Sequence, residues 1–100
     1  MDMETFMMHY DAFDREFCPT ATVEDVEKKL LEEMGELRSC LQWPEKSTHE
    51  ETLGELLDVL NVSLKLLKRY GIHDPLWFGY RKLELTAEKY RAKEAESVVS

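Results

Sequence analysis

Apolar residues along this chain recur at intervals of three and four, the period of a helix that buries one face. Met3, Phe6, Tyr10, Phe13 and Phe17 mark a first helix over about residues 2–17. Cys18-Pro19 ends it, because proline drives the residue before it out of the helical region. Val23, Val26, Leu30, Met34, Leu37 and Leu41 mark a second helix over about residues 22–42, with Thr22 as N-cap and Asp25 three residues on. Trp43-Pro44 stops it, and Glu45 to Thr48 reads as a short polar loop. Thr48 with Glu51 opens a third helix over about residues 49–70, closed by Gly71. Asp74-Pro75 supplies the N-cap and first residue of a fourth, over about residues 75–91. Its stripe is Leu76, Tyr80, Leu83, Ala87 and Tyr90. The period is lost beyond Ala92, so residues 92–100 are expected to fray. No stretch alternates with period two for long enough to make a strand. The pattern predicts one all-α domain over residues 1–100, a four-helix-bundle-like fold with short loops.

The third helix is apolar on two sides. At about 100° per residue, Leu56, Leu57, Leu60, Leu64 and Leu67 fall within about 60° of Leu53, the expected core stripe. Val59, Val62 and Leu66 form a second arc on the far side, and Lys65, Lys68 and Arg69 are expected in a solvated sector between them. A helix with two apolar faces is sandwiched, either by another helix of the chain or by a second subunit. With only 100 residues to bury so much apolar surface, a homodimer or a dimer of dimers is the expectation favoured here.

Charge narrows the partners. Lys plus Arg number 13 against 21 Asp plus Glu, a formal charge of −8. Such a chain repels a phosphate backbone, which argues against nucleic-acid binding but admits a small phosphate ligand carried by a metal. No apolar run spans a bilayer and no signal-peptide core opens the chain, so a cytoplasmic protein without membrane contact is expected. Cys18 and Cys40 make no disulfide framework. Neither they nor His9, His49 and His73 show zinc-ligand spacing, and there is no glycine-rich phosphate loop.

The acids carry the candidate chemistry. Glu55 falls inside the second arc of the third helix and Asp58 at its edge, although carboxylates are rarely buried without a partner. Glu33 and Glu36 repeat the three-residue spacing on the second helix, with Glu33 at the border of its apolar stripe. Glu24, Lys28 and Glu32 read as ordinary solvated charges. Each pair alone is compatible with capping or with ion pairs to Lys and Arg. Two such pairs on consecutive antiparallel helices bring four carboxylates together, and like charges converge only around a cation. An all-oxygen donor set selects Mg2+ or Mn2+.

The same residues carry a family resemblance. Glu33-Met34-Gly35-Glu36, an 18-residue gap and Glu55-Leu56-Leu57-Asp58 resemble the ExxE…ExxD signature of MazG-like all-α nucleoside triphosphate pyrophosphohydrolases. Gly35-Glu36-Leu37 followed by Gln42-Trp43 is similar to the GEL…QW stretch of its small dCTPase-type and integron-type branch. Lys82-Leu83-Glu84 followed by Lys89-Tyr90 resembles that branch's C-terminal motif, and Phe13, Arg15 and Phe17 its N-terminal helix. Thr86 stands where the motif has Asn, Arg91 where it has Pro, Phe17 where that branch often has Trp, and Val62 where it often has an aromatic residue.

The resemblance implies Mg2+-dependent cleavage of a nucleoside triphosphate to monophosphate and pyrophosphate, in house-cleaning of non-canonical or surplus nucleotides. It implies Glu33, Glu36, Glu55 and Asp58 as the catalytic metal ligands, Lys82, Lys89 and Tyr90 as phosphate-binding, and Trp43 as base-binding. The competing expectation is a non-catalytic helical dimer, an interaction or regulatory module whose acids only solubilise it.

Overall fold

Each helix starts where a side chain satisfies its free amides. In the computed structural model, which describes residues 1–99, α1 spans Met3–Phe17, α2 Val23–Gln42, α3 His49–Arg69 and α4 Pro75–Val99. A short 3-10 turn, Pro44–Lys46, joins α2 to α3, and no strand occurs among the described residues. Asp2 caps α1, accepting the Thr5 N–H at 2.7 Å. Thr22 and Asp25 exchange bonds at 3.2 and 2.9 Å in a capping box. Thr48 accepts the Glu51 N–H at 3.1 Å and Asp74 the Trp77 N–H at 3.2 Å. Each such cap contributes about 1 kcal/mol. Gly71 ends α3 at φ 90°, with the Ile72 and Gly71 amides donating to Leu67 and Lys68 at 2.9 Å. This is a Schellman closure, and its left-handed residue disfavours any side chain with a Cβ.

The packed unit is the antiparallel α2–α3 hairpin. The Tyr70 hydroxyl at the end of α3 donates to Glu27 near the start of α2, and the Ser47 hydroxyl donates to the Cys40 carbonyl at 3.4 Å. Against this hairpin α1 is held by two ion pairs, Lys65 with Asp14 and Lys68 with Asp11. Met7 of α1, Val26 of α2, and Val62 and Leu64 of α3 are the buried apolar residues among those described.

The structure reverses the expected faces of α3. Of the leucine stripe only Leu64 is buried, while Leu53, Leu56, Leu57, Leu60 and Leu67 are exposed. The second arc turns inward instead: Val62 is buried, and Val59 and Leu66 are half-buried. Lys65 is not solvated either; it is buried against α1. The inward side is the one whose Lys65 pairs with Asp14 of α1, an attraction between distant residues that periodicity does not register.

The stripe of α4 is likewise open, with Leu76, Tyr80, Leu83 and Tyr90 exposed. The helix also runs to Val99, past the end expected near residue 91. Ala92, Lys93, Glu94, Ala95 and Glu96 are strong helix formers and need no apolar stripe to continue it. The expected fraying at Ser100 lies outside the described residues.

The chain exposes 8130 Å². A compact monomer of 11.8 kDa exposes about 5,900 Å², so the excess is about 2,200 Å². Its radius of gyration, 17.5 Å, likewise exceeds the roughly 13 Å of a compact 100-residue domain. No helix among the described residues is long and apolar enough to cross a membrane.

A candidate carboxylate site between three helices

Residues three apart lie one above the other on a helix. The hairpin therefore turns the Glu33 and Glu36 row of α2 toward the Glu55 and Asp58 row of α3. One carboxylate oxygen from each of Glu33, Glu55 and Asp58 lies within 4.8 Å of the others. Glu36 is not one of the three, but it lies close enough to Glu55 to push that carboxyl up. Three of the four acids singled out by spacing thus converge, and Glu36 stands beside them, exposed.

Their burial is graded. Glu33 is 6% exposed, Glu55 is half-buried, and Glu36 and Asp58 are exposed. Burial is the main cause that lifts the Glu55 carboxyl above its ordinary 4.5. The neighbouring acids Glu36, Asp58 and Glu33 push the same way. Glu33 Oε1 takes the Lys29 ammonium at 3.0 Å. Glu33 Oε2 and Glu55 Oε2 are buried without a hydrogen-bond donor. A buried acceptor left unpaired costs about 1–3 kcal/mol, and more when charged. Orphaned, converging, all-oxygen donors of this kind fit a hard divalent cation.

A cavity of about 550 Å³ opens beside the acids. Phe6, Tyr10 and Phe13 of α1 form one wall, and Val26, Asn61 and Val62 face them from the hairpin. Glu33 and Asp58 belong to the same lining, so the cavity and the carboxylates are one continuous site. The aromatic wall is a ladder along α1. Ring centroids are 6.1 Å apart from Phe6 to Tyr10 and from Tyr10 to Phe13, and 4.8 Å from Phe13 to Phe17. Burial, with Asp14, Cys18 and Asp58 nearby, pushes the Tyr10 phenol up to about 12. It therefore stays a neutral hydroxyl, able to donate.

Two lysines also line the cavity, Lys29 and Lys65. Lys29 is half exposed, while Lys65 is enclosed with its Nζ 3.0 Å from Asp14 Oδ1.

Other sequence candidates stand apart. Trp43 is exposed at the C-terminal end of α2, its ring under the Lys46 ammonium at 5.3 Å, and it does not line the cavity. Lys82, Lys89 and Tyr90 are exposed on α4 and do not line it either. His9 is on the cavity wall, and His49 and His73 are exposed. Cys18 and Cys40 are free and half-buried.

Sequence reasoning missed Lys29, Tyr10 and Lys65. Lys29 lies one turn before Glu33, and Lys65 two turns after Asp58, so helical spacing held both signals. The role of Tyr10 was masked because its spacing matches an ordinary core stripe. No family model, curated protein or solved structure matches this chain.

Proposed function

We propose that the chain is a Mg2+-dependent nucleoside triphosphate pyrophosphohydrolase of the MazG-like kind. It takes a (d)NTP and water to the (d)NMP and pyrophosphate, in clearance of surplus or non-canonical nucleotides. One observation carries this reading: the carboxylates of Glu33, Glu55 and Asp58, two with orphaned buried oxygens, converge at the mouth of an aromatic-walled cavity.

Glu33, Glu55 and Asp58 hold the cation. Mg2+, or Mn2+ in its place, supplies charge neutralisation of the triphosphate and a lowered pKa for an attacking water. Glu36, exposed beside Glu55 and outside the group of three, would be free to accept a proton from such a water. The Lys29 ammonium, paired here with Glu33, would be available to phosphate oxygens once a cation occupied that carboxylate. Phe6, Tyr10 and Phe13 offer ring faces and edges against which a base packs.

The working form is a homodimer or a dimer of dimers. Its support is the excess surface of about 2,200 Å², where a standard interface covers about 800 Å² per partner. The exposed leucines of α3 and the open stripe of α4 are the surfaces to be covered. In that assembly Lys82, Lys89 and Tyr90 serve a second copy's phosphates, because in one chain they stand off from the acids.

The same exposed surface favours the second reading, a non-catalytic helical dimer. Paired variants separate them. Under the enzyme reading Glu36→Gln loses turnover but keeps Mg2+ binding, and Glu33→Ala loses both. Under the second reading neither change affects assembly and no turnover exists to lose.

A further inference from the structure

Two apolar stripes of this chain are open, and they match in length. On α3, Leu53, Leu56, Leu57, Leu60 and Leu67 are exposed along about 21 Å of helix. On α4, Tyr80, Leu83, Ala87 and Tyr90 fall within about 40° of Leu76, and this stripe is also about 21 Å long. No residue in 75–96 is buried, and among the described residues α4 packs along no other helix of its own chain.

The connection between the two helices is short and tied at both ends. The Ile72 amide donates to the Leu67 carbonyl at 2.9 Å, and the Asp74 carboxylate accepts the Trp77 N–H at 3.2 Å. Gly71, at φ 90°, sets the direction between them. Such a turn projects α4 away from its own α3 instead of leaving it free to fold back. Charge suits a contact with another copy. α4 carries five basic and four acidic residues, and the rest of the chain eight and seventeen, so the helix does not share the acidity of the hairpin it would meet.

We propose that α4 is an exchanged arm: its apolar stripe lies on the leucine stripe of α3 in a second copy, and that copy's α4 returns the contact. Reciprocity closes the open faces of both chains in one two-fold contact. The surface is sufficient. A standard interface covers about 800 Å² per partner, and this chain exposes about 2,200 Å² more than a compact monomer of its mass. The inference rests on the homo-oligomer of the preceding reading, not on its chemistry, and adds which element crosses and where it lands.

Leu60 and Leu83 stand at the midpoints of the two stripes, so they meet whether the helices run parallel or antiparallel. Full-length chains with Cys18→Ala and Cys40→Ala carry either Leu60→Cys or Leu83→Cys, one of them mass-tagged. They are mixed under reducing conditions, oxidised at micromolar concentration and read by mass spectrometry. Thiols held together react at an effective concentration near millimolar, so the mixed disulfide should exceed either same-position dimer by about 10-fold or more. A chain with both substitutions should give a covalent dimer. Same-position dimers in excess, or a doubly substituted chain that closes on itself as a monomer, overturn the inference. Unsubstituted protein supplies a readout independent of the variants: amide exchange should slow in α3 and α4 together as concentration rises, and slowing in α3 alone overturns the inference. Sedimentation at the same concentrations separates the two failures. A monomer throughout defeats the assembly as well, whereas a dimer without the mixed disulfide defeats the exchange alone.

Discussion

Removing Asp14 should loosen α1 far more than removing its neighbour on the same helix, Asp11. The two acids pair with α3 in different surroundings. Lys65 and Asp14 have side chains 10% and 15% exposed, and Lys68 and Asp11 32% and 30%. Breaking an enclosed pair leaves one charge buried and unpaired, at about 3–5 kcal/mol. Water entering from the adjoining cavity lowers this, so about 2–3 kcal/mol is expected for Asp14→Ala. The more exposed Asp11→Ala should cost about 0–1 kcal/mol. Whole-domain stability at this size is about 5–15 kcal/mol, so the chain should still fold. The loss should appear locally, since α1 is held mainly by these two pairs. At a factor of ten per 1.4 kcal/mol, amide exchange in α1 should accelerate by roughly 30- to 150-fold. Amides of the α2–α3 hairpin should change much less. Replacing both partners by apolar residues, Asp14→Leu with Lys65→Met, should recover most of the protection, because the cost lies in the unpaired charge. Equal effects of Asp14→Ala and Asp11→Ala, or acceleration spread evenly over all helices, would refute the reasoning.

Further outcomes follow from the same geometry. Because the native Glu55 carboxyl titrates above its ordinary 4.5, the folded state binds this proton more tightly than the unfolded state. In EDTA, melting temperature should therefore fall as pH rises from that value through the raised one; Glu55→Gln should remove this component, and Mg2+ should restore stability at neutral pH. A pH profile that the substitution leaves untouched would contradict it. Lys29→Met removes the cation already paired with Glu33, so Mg2+ affinity measured by calorimetry should rise a few-fold in the absence of nucleotide; a fall would show that Lys29 helps rather than competes. Leu83→Glu places a charge in the open stripe of α4 and should shift the sedimentation coefficient toward the monomer with helix content unchanged. An unaltered assembly would move the interface elsewhere.

Helix starts, and the stops of α1, α2 and α3, were legible because they depend on local chemistry. Thr22 with Asp25, Thr48, Asp74 and Gly71 each do in the structure what their residue types imply. Three members of the acid cluster were legible for a related reason: three-residue spacings on antiparallel neighbours set Glu33 against Glu55 and Asp58, while Glu36 falls outside the group. Which face of α3 turns inward was not legible. Periodicity finds two apolar arcs, but only tertiary pairing chooses between them, and here the acids and Lys65 lie on the inward side. Lys65 looked solvated because its counter-ion, Asp14, lies far away in sequence. Trp43 and the α4 residues mark the same boundary. Motif spacing gives their order along the chain, while their distance from the acids depends on how α2 ends and where α4 lies.

The central claim is that the converging acids are a catalytic cation site. Its most direct test is to incubate the pure protein with a panel of NTPs and dNTPs, with Mg2+ or with EDTA, and quantify pyrophosphate and monophosphate. The account predicts equimolar release of both with Mg2+, none in EDTA, and none from Glu36→Gln. A folded protein that neither binds Mg2+ nor releases pyrophosphate from any nucleotide would contradict it and leave the non-catalytic helical dimer.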